Sequence, residues 1–153
     1  MERREFLKKG LGAGFVAGTA LTAVPSARLF AGANSPSEGD YDLVAIRGGE
    51  PDVMFDRGIE ELGGMRKFVK EGQTVVVKPN IGWDAVPERG ANTNPLLVKR
   101  IIQHCFNAGA SQVYVFDHTC NEWTKCYTNS GIEQAVKDAG GTMFTGSSEK
   151  YYQ

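Results

Sequence analysis

Two polar stretches gather the side chains that could do chemistry. The first runs from Lys78 to Thr93 and holds Lys78, Asn80, Trp83, Asp84, Glu88, Arg89, Asn92 and Thr93. The second, DHTCNEWTKCY from Asp117 to Tyr127, supplies Asp117, His118, Cys120 and Cys126. A lysine ammonium can hold a phosphate or carboxylate, or extend its stem over a strand end. A carboxylate and an imidazole can exchange protons, which makes Asp117 and His118 the candidate acid–base groups. Asp117 could equally hold a ribose or a metal, or cap the next turn. Lys78, Asn80, Asp84, Asn92 and Asn94 are the candidate ligand-binding residues. Cys120 and Cys126 are candidate metal ligands, with a disulfide as the alternative. Five residues separate them, a spacing that matches neither CxxC nor a zinc pattern, so metal, disulfide and inert thiols stay open. Trp83 and Trp123, one per stretch, could wall a pocket or cover a sheet edge.

These loops need elements to carry them. Val75-Val76-Val77 is a short β-branched run suited to a buried strand, broken at Lys78-Pro79. Asn94-Pro95 is a helix start, with asparagine as cap and proline in the first turn. Strand, long polar loop and helix in succession is how α/β proteins hold ligands, beyond the carboxyl ends of strands. Along the chain the pattern predicts a strand at Tyr41–Ile46, a helix at Asp52–Leu62, a short turn at Met65–Val69 and a strand at Thr74–Val77. A helix over Asn94–Ala108 follows, with Leu97, Ile101, Cys105 and Ala108 along one stripe and Cys105 as a core thiol. Gln112–Phe116 is the next strand, Asn129–Ala139 the next helix, and Thr142–Thr145 begins a fourth strand. The alternation predicts an α/β fold, a three-layer Rossmann-like sandwich with a mainly parallel sheet. No GxGxxG follows the first expected strand, so the dinucleotide fingerprint is missing. Strands joined by one helix are often neighbours, so the two polar loops should face each other and hold a small anionic ligand or cofactor between them.

The amino terminus has a different organisation. Arg3-Arg4 is followed by Phe6-Leu7-Lys8, and Gly10 to Ser26 carries no charge. This resembles a twin-arginine export signal, with Glu2 standing where serine or threonine is usual. Four glycines dilute the apolar run, whereas a permanent span needs about 20 strongly apolar residues. Ala31-Gly32-Ala33 is a small-x-small cleavage pattern, so residues 1–33 are expected to be a signal peptide and 34–40 a linker. Residues 41–153 would then be the amino-terminal part of a longer α/β domain. An uncleaved membrane anchor is the alternative, and no other membrane contact is expected. Export by this route implies a periplasmic or other extracytoplasmic location.

Of 17 basic and 18 acidic side chains, five basic and two acidic fall in residues 1–33, leaving 12 against 16 in the body. A mildly acidic body offers no electrostatic footprint for nucleic acid.

VVVKPNIGWD, ANTNPLLV, a helix ending in NAGA, then VYVFDHTC and NSGIEQAVKDAGG together resemble the domain-of-unknown-function 362 family over Asp42 to Gly141. That family has no secure activity. The resemblance implies a longer domain, sometimes accompanied by ferredoxin-type iron–sulfur modules. The expected function is therefore an exported, redox- or metal-associated protein that binds a small anionic ligand or cofactor. Its partners would be that ligand or a redox partner protein. An iron–sulfur cluster or other metal would need residues outside this chain, since Cys105, Cys120 and Cys126 lack ferredoxin spacing. Two alternatives stand beside it: a non-catalytic assembly or maturation factor, and a cofactor-dependent enzyme like a racemase or lyase.

Overall fold

Three short runs, each with one apolar side, pair as a parallel sheet. They are β1 (Thr74–Val77), β2 (Gln112–Val115) and β3 (Thr142–Met143), in the order β1-β2-β3. The structure is a computed structural model that describes residues 41–146. The expected signal peptide and linker lie outside the described residues. Register sets Val75 beside Val113, Val77 beside Val115, and Val115 beside Met143. All five point to one face, where α2 (Pro95–Asn107) and α4 (Ile132–Asp138) lie. Val98, Ile102, Val113, Val115, Ile132 and Val136 are fully buried there. Burying each such side chain contributes roughly 1.5–3 kcal/mol, so this seam is the main support of the domain.

Helix α2 begins as its sequence dictates. Asn94 Oδ1 accepts from the Leu96 and Leu97 amides at 2.9 and 3.4 Å, with Pro95 in the first turn. At its far end Gly109 has φ 106°, and a Cβ there would meet Glu71 Cα at 3.0 Å. Only glycine fits both the backbone and the space. Among the described residues no helix is long and apolar enough to cross a membrane.

The α/β class and the parallel sheet agree with the sequence; three local expectations need correction. Tyr41–Ile46 is not a strand. Val44 and Ile46, on one side of that segment, instead lie along α1 (Pro51–Glu61), where Gly58 leaves room for Ile46 at 3.5 Å. Their alternating pattern is satisfied by packing on a helix, without backbone pairing. The helix expected at Asn129–Ala139 is α4, which starts only at Ile132, after Gly131 with φ 72°, and an unexpected helix, α3 (Trp123–Asn129), precedes it. Glu122 caps α3 by accepting from the Thr124 and Lys125 amides at 3.1 and 3.2 Å, a role glutamate rarely signals in sequence. Of the three expected layers, the described residues supply the sheet and the helices on one face. On the other face Val76 is 57% and Phe144 47% exposed.

α1 is fastened to α2 by charge. Arg100 donates to both carboxylate oxygens of Asp56 at 2.6 and 2.7 Å, and His104 Nε2 lies 2.7 Å from Oδ1. The Arg100 hydrogen bonds, then His104, hold the Asp56 carboxyl down at about 2, against an ordinary 3.8. A depressed folded value means the contribution is complete above the ordinary value and is lost as pH falls through about 2. Asp56→Asn is expected to cost about 1 kcal/mol at neutral pH, since solvent screens a pair one-third exposed. Urea unfolding across pH should show that gap shrinking toward pH 2; a gap independent of pH would mean packing alone joins the helices.

Candidate functional site

Lys78 is the first residue past β1, and Asp117 lies two residues past β2. Because the strands are parallel and in register at Val77 and Val115, both leave the same edge of the sheet. Lys78 Nζ donates to Asp117 Oδ1 at 2.5 Å. The Ile81 amide donates to Oδ2 at 2.8 Å. Asp117 is 6% exposed while the Lys78 side chain is 60% exposed. The pair is thus a fixed carboxylate holding the base of a solvent-facing ammonium. Asp117 is fixed in turn by Tyr127, itself 2% exposed. The Asp117 amide donates to Tyr127 Oη at 3.0 Å, and Tyr127 Oη–H reaches the carbonyls of Asp117 (2.8 Å) and Phe144 (3.1 Å).

The two loops face each other as the sequence implies, and they close on one another. Cys120 and Asn121 amides donate to the Gly82 carbonyl at 2.9 and 3.3 Å. The Asp84 amide donates to Asn121 Oδ1 at 3.0 Å, and Asn129 Nδ2 donates to Asp84 Oδ1 at 2.6 Å. Asn80 braces its own loop: its amide donates to Thr93 Oγ1 at 2.9 Å, Nδ2 to the Ala91 carbonyl at 3.0 Å, and Oδ1 accepts from Gly82 at 3.1 Å. Asn92 accepts from the Trp83 amide at 3.0 Å and donates to the Trp83 carbonyl at 2.8 Å. Asn94 stays at the α2 cap. Beneath this mesh Ile81 is fully buried, a hydrophobic plug in a polar loop.

At the rim, His118 is exposed and its Nδ1 sits 2.9 Å from the Gly146 carbonyl. A carbonyl only accepts, so Nδ1 carries a proton. Lys78, Asp117 and His118 therefore share the carboxyl edge of the sheet. Tyr127, Asn121 and Asn129 were not singled out by sequence. The signal for Tyr127 was present: Trp123, Cys126 and Tyr127 have the i, i+3, i+4 spacing of a helix face.

The family model described as "Domain of unknown function (DUF362)" matches residues 75–153, just over half of the chain. The chain belongs to the DUF362 family. Its match takes in β1 from Val75 onward, both loops and the Lys78–Asp117 pair. No curated protein and no solved structure matches this DUF362 chain.

The thiols of the DUF362 chain differ in access. Cys120 is exposed, whereas Cys126 and Cys105 are buried, and all three are free thiols. Cys126 Sγ lies 3.7 Å from the Gly82 carbonyl, and Cys120 Sγ 3.7 Å from where a Gly82 Cβ would stand. Burial pushes the Cys105 and Cys126 thiols up. Iodoacetamide on the folded protein is expected to label Cys120 first, with Cys105 and Cys126 reacting only in denaturant, as peptide mass spectrometry would report. Early labelling at Cys126 would contradict its burial. An iron–sulfur cluster held by cysteine takes four thiolates, and the chain has three cysteines, one of them in the α2 core. The cluster does not fit this chain alone. Among the described residues no group of three or more His, Cys, Asp or Glu side chains is arranged to hold a metal ion.

Proposed function

We propose that this DUF362 protein is exported by the twin-arginine route and holds a small anionic ligand at the carboxyl edge of its sheet. Lys78 supplies the positive charge, Asp117 holds Lys78 in place, and His118 is the proton-exchanging group at the rim. The observation that carries this reading is the Lys78–Asp117 contact at 2.5 Å between the ends of adjacent parallel strands. A largely exposed lysine side chain held by a buried carboxylate is oriented before a ligand arrives, which reduces the ordering cost of binding. Asn80, Asp84 and Asn92 support the ligand indirectly, by shaping the loop. The export part is supported by Arg3-Arg4 with Phe6-Leu7-Lys8, and cell fractionation after changing both arginines to lysine tests it. A product that still leaves the cytoplasm would rule that route out.

Calorimetric titration with inorganic phosphate tests the binding. Lys78→Gln is expected to weaken it about tenfold, the usual worth of one charge-assisted hydrogen bond. Lys99→Gln, on α2 and paired with Asp138 at 3.1 Å, is the surface-charge control. Equal loss in both variants would reduce the effect to net charge.

A redox or metal role is a second reading, favoured by both sulfurs lying near Gly82. A metal held there would draw its other ligands from beyond the described residues. Metal content after anaerobic purification, compared with Cys120→Ser and Cys126→Ser, decides it; metal retained by both variants would place the ion elsewhere.

A further inference from the structure

Cys120 and Cys126 come together around one backbone atom. The Gly82 carbonyl accepts from the Cys120 amide at 2.9 Å, and Cys126 Sγ lies 3.7 Å from the same oxygen. The residues before and after Cys120 reach that sulfur as well: the Thr119 side chain and the Asn121 amide are hydrogen-bond partners of Cys126. The turn that carries Cys120 therefore runs beside the Cys126 thiol. Cys126 is 0% exposed in α3, whereas Cys120 is exposed and its sulfur swings about a single Cα–Cβ bond. A disulfide needs near neighbours, with Cα atoms within about 7 Å, and this turn supplies the proximity. Cys105 takes no part, being buried in the α2 core.

We propose that Cys120 and Cys126 are a reversible dithiol–disulfide pair, with Cys120 the entry thiol and Cys126 the resolving one. This rests on the redox side of the second reading above and needs no metal. The oxidant is a low-molecular-weight disulfide such as oxidised glutathione. Cys120, as its thiolate, attacks one sulfur of that disulfide; the S–S bond breaks, and the departing glutathione thiolate takes up the proton that Cys120 released. Cys126 Sγ then attacks Cys120 Sγ, and its proton passes to the second departing glutathione. The protein loses two electrons and two protons, and the oxidant becomes two thiols. Burial of Cys126 is compatible with this order, because the second step takes place inside the loop. The new bond closes the Asp117–Cys120 segment onto α3, whose Tyr127 hydroxyl already holds the Asp117 backbone.

The test adds oxidised glutathione to the folded whole chain, then alkylates it, digests it without reduction and reads the peptides by mass spectrometry. A link between Cys120 and Cys126 is expected, two hydrogens lighter than the free pair. The linked chain should melt roughly 5–10 °C higher, and dithiothreitol should reverse the shift. Cys120→Ser, at an exposed position, should abolish the link. A link that survives Cys120→Ser, that forms only in denaturant, or that leaves the melting temperature unchanged would overturn the proposal. So would the absence of any link. In that last case, metal lost on Cys120→Ser would leave the second reading standing as a metal site, and a chain without metal would overturn that reading too.

Discussion

Ile81→Ala is expected to lower stability by about 3 kcal/mol, the middle of the range for removing a fully buried isoleucine side chain. For a domain of this size that is a fall in Tm of roughly 10–20 °C. Ile81 is 0% exposed and belongs to the same core cluster as Val98, Ile102 and Val115, although it sits in a polar loop. Its amide also donates to Asp117 Oδ2 at 2.8 Å. Losing the plug should therefore loosen the carboxylate that holds Lys78, coupling the core to the site. Urea unfolding and a thermal melt measure the first effect. A cost below about 1 kcal/mol would mean that the loop is not anchored in the core.

Asp117→Ala is expected to cost about 2–3 kcal/mol, for reasons that differ on its two sides. The Ile81 amide is buried, and left without an acceptor it suffers a full desolvation penalty. The Lys78 ammonium is largely exposed, so water replaces the lost carboxylate and the severe cost of a stranded buried charge does not arise. Asp117→Asn keeps an oxygen for Ile81 and should cost about 1 kcal/mol, while Lys78→Gln should cost less than that. Denaturant titration of the three variants should rank them Ala, Asn, then Lys78→Gln. If Lys78→Gln proved as harmful as Asp117→Ala, the ion pair rather than the Ile81 hydrogen bond would be holding the loops together.

Elements whose sequence carries both period and punctuation were legible before any coordinates. α2 is the clearest case, with Asn94, Pro95 and Gly109 at its ends and a continuous apolar stripe between them. β1 and β2 were legible from β-branched runs, and their adjacency from the helix that joins them. The meeting of Lys78 with Asp117 followed from that adjacency, because parallel neighbours deliver their next residues to one edge. What could not be read was how the asparagines are used. An asparagine that braces its own loop and one that faces a ligand have the same one-letter context, since both follow from hydrogen bonds to backbone groups brought close by tertiary structure. Asn80 and Asn92 do the bracing. α3 was hidden because its cap is Glu122 and it is only seven residues long, too short for periodicity to outweigh a polar, cysteine-bearing sequence. Residues 41–46 alternate like a strand but pack on α1, a case of tertiary contact overriding local pattern.

Anion binding at the carboxyl edge of the sheet is best measured by an amide-resolved NMR titration with inorganic phosphate. Shift changes are expected to concentrate at Lys78, at Ile81 and Gly82, and from Asp117 to Cys120, and Lys78→Gln should suppress them. Changes confined to the α1–α2 face around Arg100 and His104, or no saturable change at any residue, would contradict it.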